Sequence, residues 1–99
     1  MIPNTLTLSA SAARRPPVDL RHLRIFLGMY HLRSVSRTAE HLGMAQSSIS
    51  IALSRLRAHY GDPLFVRTGQ TMQPTDRATL LAPAIEHALQ ILDEADRRT

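Results

Sequence analysis

Glycine and proline cut the apolar periodicity of this chain into short pieces, and this limits what it can fold into. Gly43 and the string Gly61-Asp62-Pro63 each follow a stretch whose apolar residues recur at three- and four-residue steps. A glycine just past a helix supplies the left-handed residue that ends it, and a proline close behind prevents continuation. The spacing therefore predicts short helices rather than one rod. The first opens at the N-cap Asp19 and carries Leu20, Leu23, Leu27 and Tyr30 on one stripe, with Phe26 beside it. The second is capped by Ser34 or Ser36, turns Ala39 and Leu42 inward and ends at Gly43. The third runs from Gln46 through Ile49, Leu53, Leu56 and Tyr60 to Gly61.

Beyond Pro63 the pattern changes. Leu64-Phe65-Val66 is a short apolar run, Thr68-Gly69-Gln70-Thr71 can reverse the chain, and Met72-Gln73-Pro74 returns as an edge strand stopped by proline. This is a β-hairpin. Thr75 then caps a long last helix from Asp76 to about Arg97, on which Leu81, Ile85, Ala88, Leu92 and Ala95 alternate four- and three-residue steps, the spacing of a dimerisation seam. Pro83 removes a backbone bond inside that helix and predicts a bend. The opening 18 residues lack either period and end in Pro16-Pro17, which reads as a disordered tail. The expected fold class is mainly α: a winged helix-turn-helix over 19–75, three helices plus a hairpin wing, followed by a linker and dimerisation helix over 76–99.

With 99 residues and no cysteine, one small core without disulfides or thiolate metal sites is the ceiling. The apolar run around Leu80 to Ile85 is broken by Pro83 and falls far short of the ~18 residues of a membrane span. Near the start, Arg14 and Arg15 follow the apolar residues, the wrong order for a secretory signal. A soluble, cytoplasmic and nucleoid-associated chain is expected.

Charge is informative by location. All 12 basic residues are arginine, and Asp19 to Thr75 holds seven of them against Asp19, Glu40 and Asp62, whereas Asp76 to Thr99 holds three against five acids. Arginine presents a permanent planar fork suited to phosphate and guanine edges, so the central segment is prepared for nucleic acid. An enzyme is disfavoured because His22, His31, His41, His59 and His87 are scattered over different elements with no ligand spacing. No cofactor or metal is expected.

The third helix carries the functional signal. Stepping about 100° per residue places Ile49, Leu53, Leu56 and Tyr60 in one arc and leaves Ser47, Ser50, Ile51, Ser54 and Arg55 on the other side. Small side chains let a helix sink into a major groove, Gln46 can pair with adenine, and Ile51 can pack on a thymine methyl. A merely solvated helix would more often carry Glu or Lys there.

From Asp19 to Asp93 the chain resembles the amino-terminal module of LysR-type transcriptional regulators. The resemblance is carried by Leu20 to Phe26, Ser34 to Leu42, Gln46 to Ser50, Leu53 to Leu56, and above all Gly61-Asp62-Pro63-Leu64-Phe65-Val66-Arg67 with Met72-Gln73-Pro74-Thr75 and Leu81-Ala82-Pro83. The last strings are similar to the branch containing nodulation and aromatic-degradation regulators. The resemblance implies that Gln46, Ser47 and Ser50 meet base edges, that Ser36 and Arg37 meet phosphates, and that wing residue Arg67 enters the flanking minor groove; Gln70 in the hairpin, with Ile51, Ser54 and Arg55 on the third helix, completes the expected DNA-binding set. It also implies a homodimer on a pseudo-palindromic operator, of higher order in a full-length regulator, and a small-molecule effector domain for which 99 residues leave no room.

Four positions depart from the family pattern. Ala45 stands where a hydroxyl residue usually caps the recognition helix, Ser47 replaces a common proline, Thr38 a common alanine, and Ile51 a polar or basic residue. Loss of a cap costs about 1 kcal/mol, to be offset by Ser47 or by DNA. The competing class is a protein-docking module, since winged helices also serve in that way; binding that weakens as salt rises separates the two.

Overall fold

A computed structural model describes residues 15–98. The tail expected over 1–18 falls mostly outside the described residues. Of its last members, Pro16 accepts a hydrogen bond from His59 Nδ1 at 2.7 Å and Val18 packs, half-buried, against the core. Among the described residues the order is α1 (Leu20–Leu32), α2 (Val35–Leu42), α3 (Gln46–Tyr60), β1 (Phe65–Thr68), β2 (Thr71–Pro74) and α4 (Asp76–Arg98).

Helix α1 begins where the sequence predicts. The Asp19 carboxylate accepts from the His22 N–H at 3.0 Å, and His22 Nδ1 accepts from the Asp19 N–H at 3.1 Å, a reciprocal capping box. Its buried face, however, is Ile25, Phe26 and Met29, while Leu23, Leu27 and Tyr30 are half-buried and Leu20 is exposed. The stripe is displaced because α1 is the central helix. It touches α2, α3, α4 and β2, so more than one of its faces is covered.

Helix α2 is capped by Ser34, whose Oγ accepts from the Arg37 N–H at 3.2 Å, which leaves Ser36 one step inside the helix. Thr38 is fully buried against α1: its hydroxyl donates to Met29 Sδ at 3.5 Å, and a Cβ at Gly28 would stand 2.8 Å from Thr38 Cγ2. Gly28 is what lets the two helices approach. Gly43, at φ 67°, ends α2, and Met44 N–H closes the turn onto the Ala39 carbonyl at 2.8 Å.

Helix α3 buries Ile49, Ala52, Leu53 and Leu56 and ends at Gly61, whose φ is 63°. The loop beyond is locked. Leu64, fully buried at φ 63°, is the centre of a turn closed by Phe65 N–H on the Pro63 carbonyl at 2.7 Å, the strained hand of the γ-turn. Burial of the Leu64 side chain offsets that strain, and strand β1 starts one residue later than expected. The Asp62 carboxylate accepts from Leu64 N–H at 2.8 Å and from the Thr75 hydroxyl at 2.7 Å; Thr75 Oγ1 in turn accepts from Ala78 N–H at the start of α4.

The hairpin pairs Phe65 with Pro74 through Thr68 with Thr71, so its strands run further towards the tip than the sequence suggests and only Gly69 and Gln70 form the turn. Phe65 packs on Phe26, ring centroids 5.4 Å apart.

The expected seam on α4 requires correction. Ala78, Ala82, Ile85 and Leu89 are buried within this chain, and Leu81 packs half-buried against the same core. Of the expected set, Ala88, Leu92 and Ala95 are exposed. The four-three spacing is shared by two faces of one helix, and α1 claims the first of them: Arg24 pairs with Asp93 at 2.8 Å and His31 Nε2 lies 3.9 Å from Glu86. The helix runs through Pro83.

Candidate nucleic-acid interface

Burying one face of α3 exposes the other. Gln46, Ser47, Ser50, Ile51, Ser54 and Arg55 are all exposed, Ile51 at 59%. No side chain at Ala45 caps the helix, so its positive end is left open to an external acceptor. The departure seen in the sequence is thus present in the structure.

The wing reaches the same side because α1 anchors it. Arg33, the left-handed C-cap of α1 at φ 58°, accepts from Met72 N–H through its carbonyl at 3.0 Å. Its guanidinium donates to the Tyr30 carbonyl at 2.6 Å and to Gln73 Oε1 at 3.2 Å and lies over the Tyr30 ring. The base of the hairpin is held by Arg57, which donates to the Pro63 and Phe65 carbonyls at 2.8 and 3.2 Å. Neither residue was among the site candidates: Arg33 takes part of its role from Gln73, 40 residues on, and Arg57 from carbonyls in and just after the irregular loop before β1, which no helical or strand period marks.

These contacts bring four of the sequence candidates to one cleft: Ser36 from α2, Gln46 from α3, and Arg67 and Gln70 from the wing, with Ser34, Val35 and Met72 completing it. The Ser36 hydroxyl is 3.1 Å from that of Ser34. Ser54 and Arg55 are not in that cleft. Arg55 lies on another flank of α3, beside Pro17, Val18, Asp19, Arg21 and His22. Arg37 is exposed on the surface of α2.

The arginines divide by commitment. Arg24, Arg33 and Arg57 hold the fold through Asp93 and backbone carbonyls, and the Arg24 guanidinium keeps the Asp93 carboxyl below its usual range. Arg21, Arg55 and Arg67 are exposed on the flanks of α3, and Arg37 is exposed on α2. Their fixed charges and planar donors suit a polyanion. Among the described residues, no group of His, Asp or Glu could hold a metal ion. No described helix is long and apolar enough to cross a membrane.

Residues 20–79 match the family described as bacterial regulatory helix-turn-helix protein, lysR family. The chain is similar to the HTH-type transcriptional activator NahR of Pseudomonas putida, 46% identical over 79% of this chain and 26% of that protein. It is also similar to nodulation protein D 2 of Sinorhizobium fredii, 39% identical over 73% of this chain and 23% of that protein. Among solved structures it resembles the probable transcriptional regulator PA0477 from Pseudomonas aeruginosa, with a TM-score of 0.75 and 44% identity over 79% of this chain and 26% of that one. The chain therefore spans about a quarter of the length of these relatives.

Proposed function

Because the chain belongs to the lysR family of bacterial regulatory helix-turn-helix proteins, we propose that it reads a double-stranded operator as a two-fold dimer, with α3 in the major groove and the hairpin in the flanking minor groove. The observation that carries this reading is the convergence of Ser36, Gln46, Arg67 and Gln70 on one cleft. A helix start, a recognition helix and a wing are thereby aimed at one ligand. Gln46, Ser47 and Ser50 meet base edges, with Ile51 against a thymine methyl and Ser54 further along the helix. Ser36 and Arg37 hold phosphate, and Arg67 and Gln70 meet the minor groove, whose negative potential favours arginine.

Dimerisation is proposed through the exposed face of α4. Leu80 and Ile91 are 73% and 55% exposed, and Ala84, Ala88 and Ala95 lie between or beyond them on the same arc, roughly 130° from the buried one, with Leu92 at its border. A two-fold pair sets its recognition helices about one DNA turn apart, ~34 Å, which matches a pseudo-palindromic site.

Selection from random double-stranded DNA with the purified chain tests the reading. An enriched pseudo-palindrome, bound more weakly as salt rises, is the expected outcome. Enrichment of nothing, or salt-insensitive binding, would remove it.

A further inference from the structure

Arg21, at the start of α1, lies beside two clefts on the flank of α3 away from the wing. One is lined by Arg21, Arg24, Leu42, Met44 and Ser48, the other by Arg21 and Arg55 with Pro17, Val18, Asp19 and His22. Ser48 and Arg55 are seven residues apart, so they stand on the same side of α3 about 10 Å from one another, and Arg21 lines the cleft beside each. The opposite flank carries the cleft of Ser36, Gln46, Arg67 and Gln70.

We propose that Arg21, with Arg55, contacts backbone phosphates on the wall of the major groove opposite the wall served by Ser36 and the wing. The proposal rests on the reading of α3 as the recognition helix. An α-helix with its side chains is about 10–12 Å across and the major groove about 12 Å wide, so a seated helix brings both walls within reach of its flanks. One wall is met by α2 and the hairpin. The other is met by α1.

The charge on this side is net positive. Arg24 is engaged with Asp93 at 2.8 Å, and among the described residues Asp19 is the one acidic side chain that lines the two clefts. Its carboxylate accepts the His22 N–H, which is the main cause of its lowered pKa, so it is held in place as the helix cap. Arg21 and Arg55 together exceed it. A guanidinium held near a groove wall by helix geometry, rather than on a free loop, contacts phosphate in register with the base-reading face.

The test compares the parent chain with Arg21→Ala and Arg21→Lys by fluorescence anisotropy on the selected operator and on random duplex, across a salt series. Arg21→Ala should lose roughly three- to tenfold in affinity on both duplexes, and its salt slope should fall by about one for each bound half-site. Arg21→Lys should keep most of the slope. A neutral methylphosphonate placed at the phosphate facing α1 should weaken the parent and leave Arg21→Ala unchanged. Unaltered affinity and slope in a folded Arg21→Ala, shown by circular dichroism, would overturn the contact; so would a loss confined to the operator. Failure of the parent to bind any duplex would instead overturn the reading of α3.

Discussion

Single side chains on α3 divide the work between recognition and packing, and one turn of helix separates the two. Gln46 is exposed in the cleft shared with the wing, whereas Ile49 is fully buried. Gln46→Ala should therefore lower operator affinity by about 1 to 3 kcal/mol and leave binding to random DNA near its parent value, because phosphate contacts remain. Equal losses on both would deny Gln46 its role in reading bases. Thr38 shows the packing side. Its methyl occupies the space over Gly28, so Gly28→Ala should destabilise the fold by roughly 1 to 3 kcal/mol through overpacking, less up to about 1 kcal/mol of gained helix propensity. Adding Thr38→Ala should recover most of that loss in chemical denaturation, a coupling expected of residues in direct contact. Additive effects would place the strain elsewhere.

At the scale of the element, α4 has two apolar arcs, and only the tertiary contacts distinguish them. Ile85 is 6% exposed and belongs to the core, so replacing it tests folding rather than assembly. Leu80→Glu with Ile91→Glu addresses the exposed arc instead. The double variant should keep its helicity, sediment as a monomer, and bind a full operator no better than a half-site. A parent chain that sediments as a monomer, or a variant that keeps full-site affinity, would refute the dimer. The hairpin is the other element whose role depends on its setting. An isolated two-stranded ribbon is marginal in water, and this one is held by Phe65 on Phe26 and by Met72 on the Arg33 carbonyl.

For the whole molecule, three carboxylates tie together segments distant in the chain or cap a helix, and they set its response to acid. Asp62 is held below the usual carboxylate range first by the Thr75 hydroxyl and then by Leu64 N–H, Asp93 chiefly by Arg24, and Asp19 chiefly by His22 N–H. A depressed folded pKa contributes stability above the unfolded value, about 4, and loses it as pH falls through the folded one. Thermal stability should thus be level above about pH 5 and decline below about pH 4, with a shallower decline in Asp62→Asn, measured by calorimetry. A steeper decline in that variant would overturn the assignment. The sequence by itself determined the element order, because caps, glycine stops and helical spacing act between neighbours: Asp19, Gly43, Gly61 and Thr75 stand where the structure bounds its helices. It also determined which face of α3 is polar. What only the tertiary structure decided is which of several apolar arcs meets the core and which arginines are left for a ligand. Ile25 and Met29 became core while Leu20 did not, and Arg33 and Arg57 became clamps while Arg21 and Arg67 stayed exposed. The physical reason is that burial and hydrogen bonding at those positions depend on partners up to 69 residues away, as for Arg24 and Asp93, which no local period encodes.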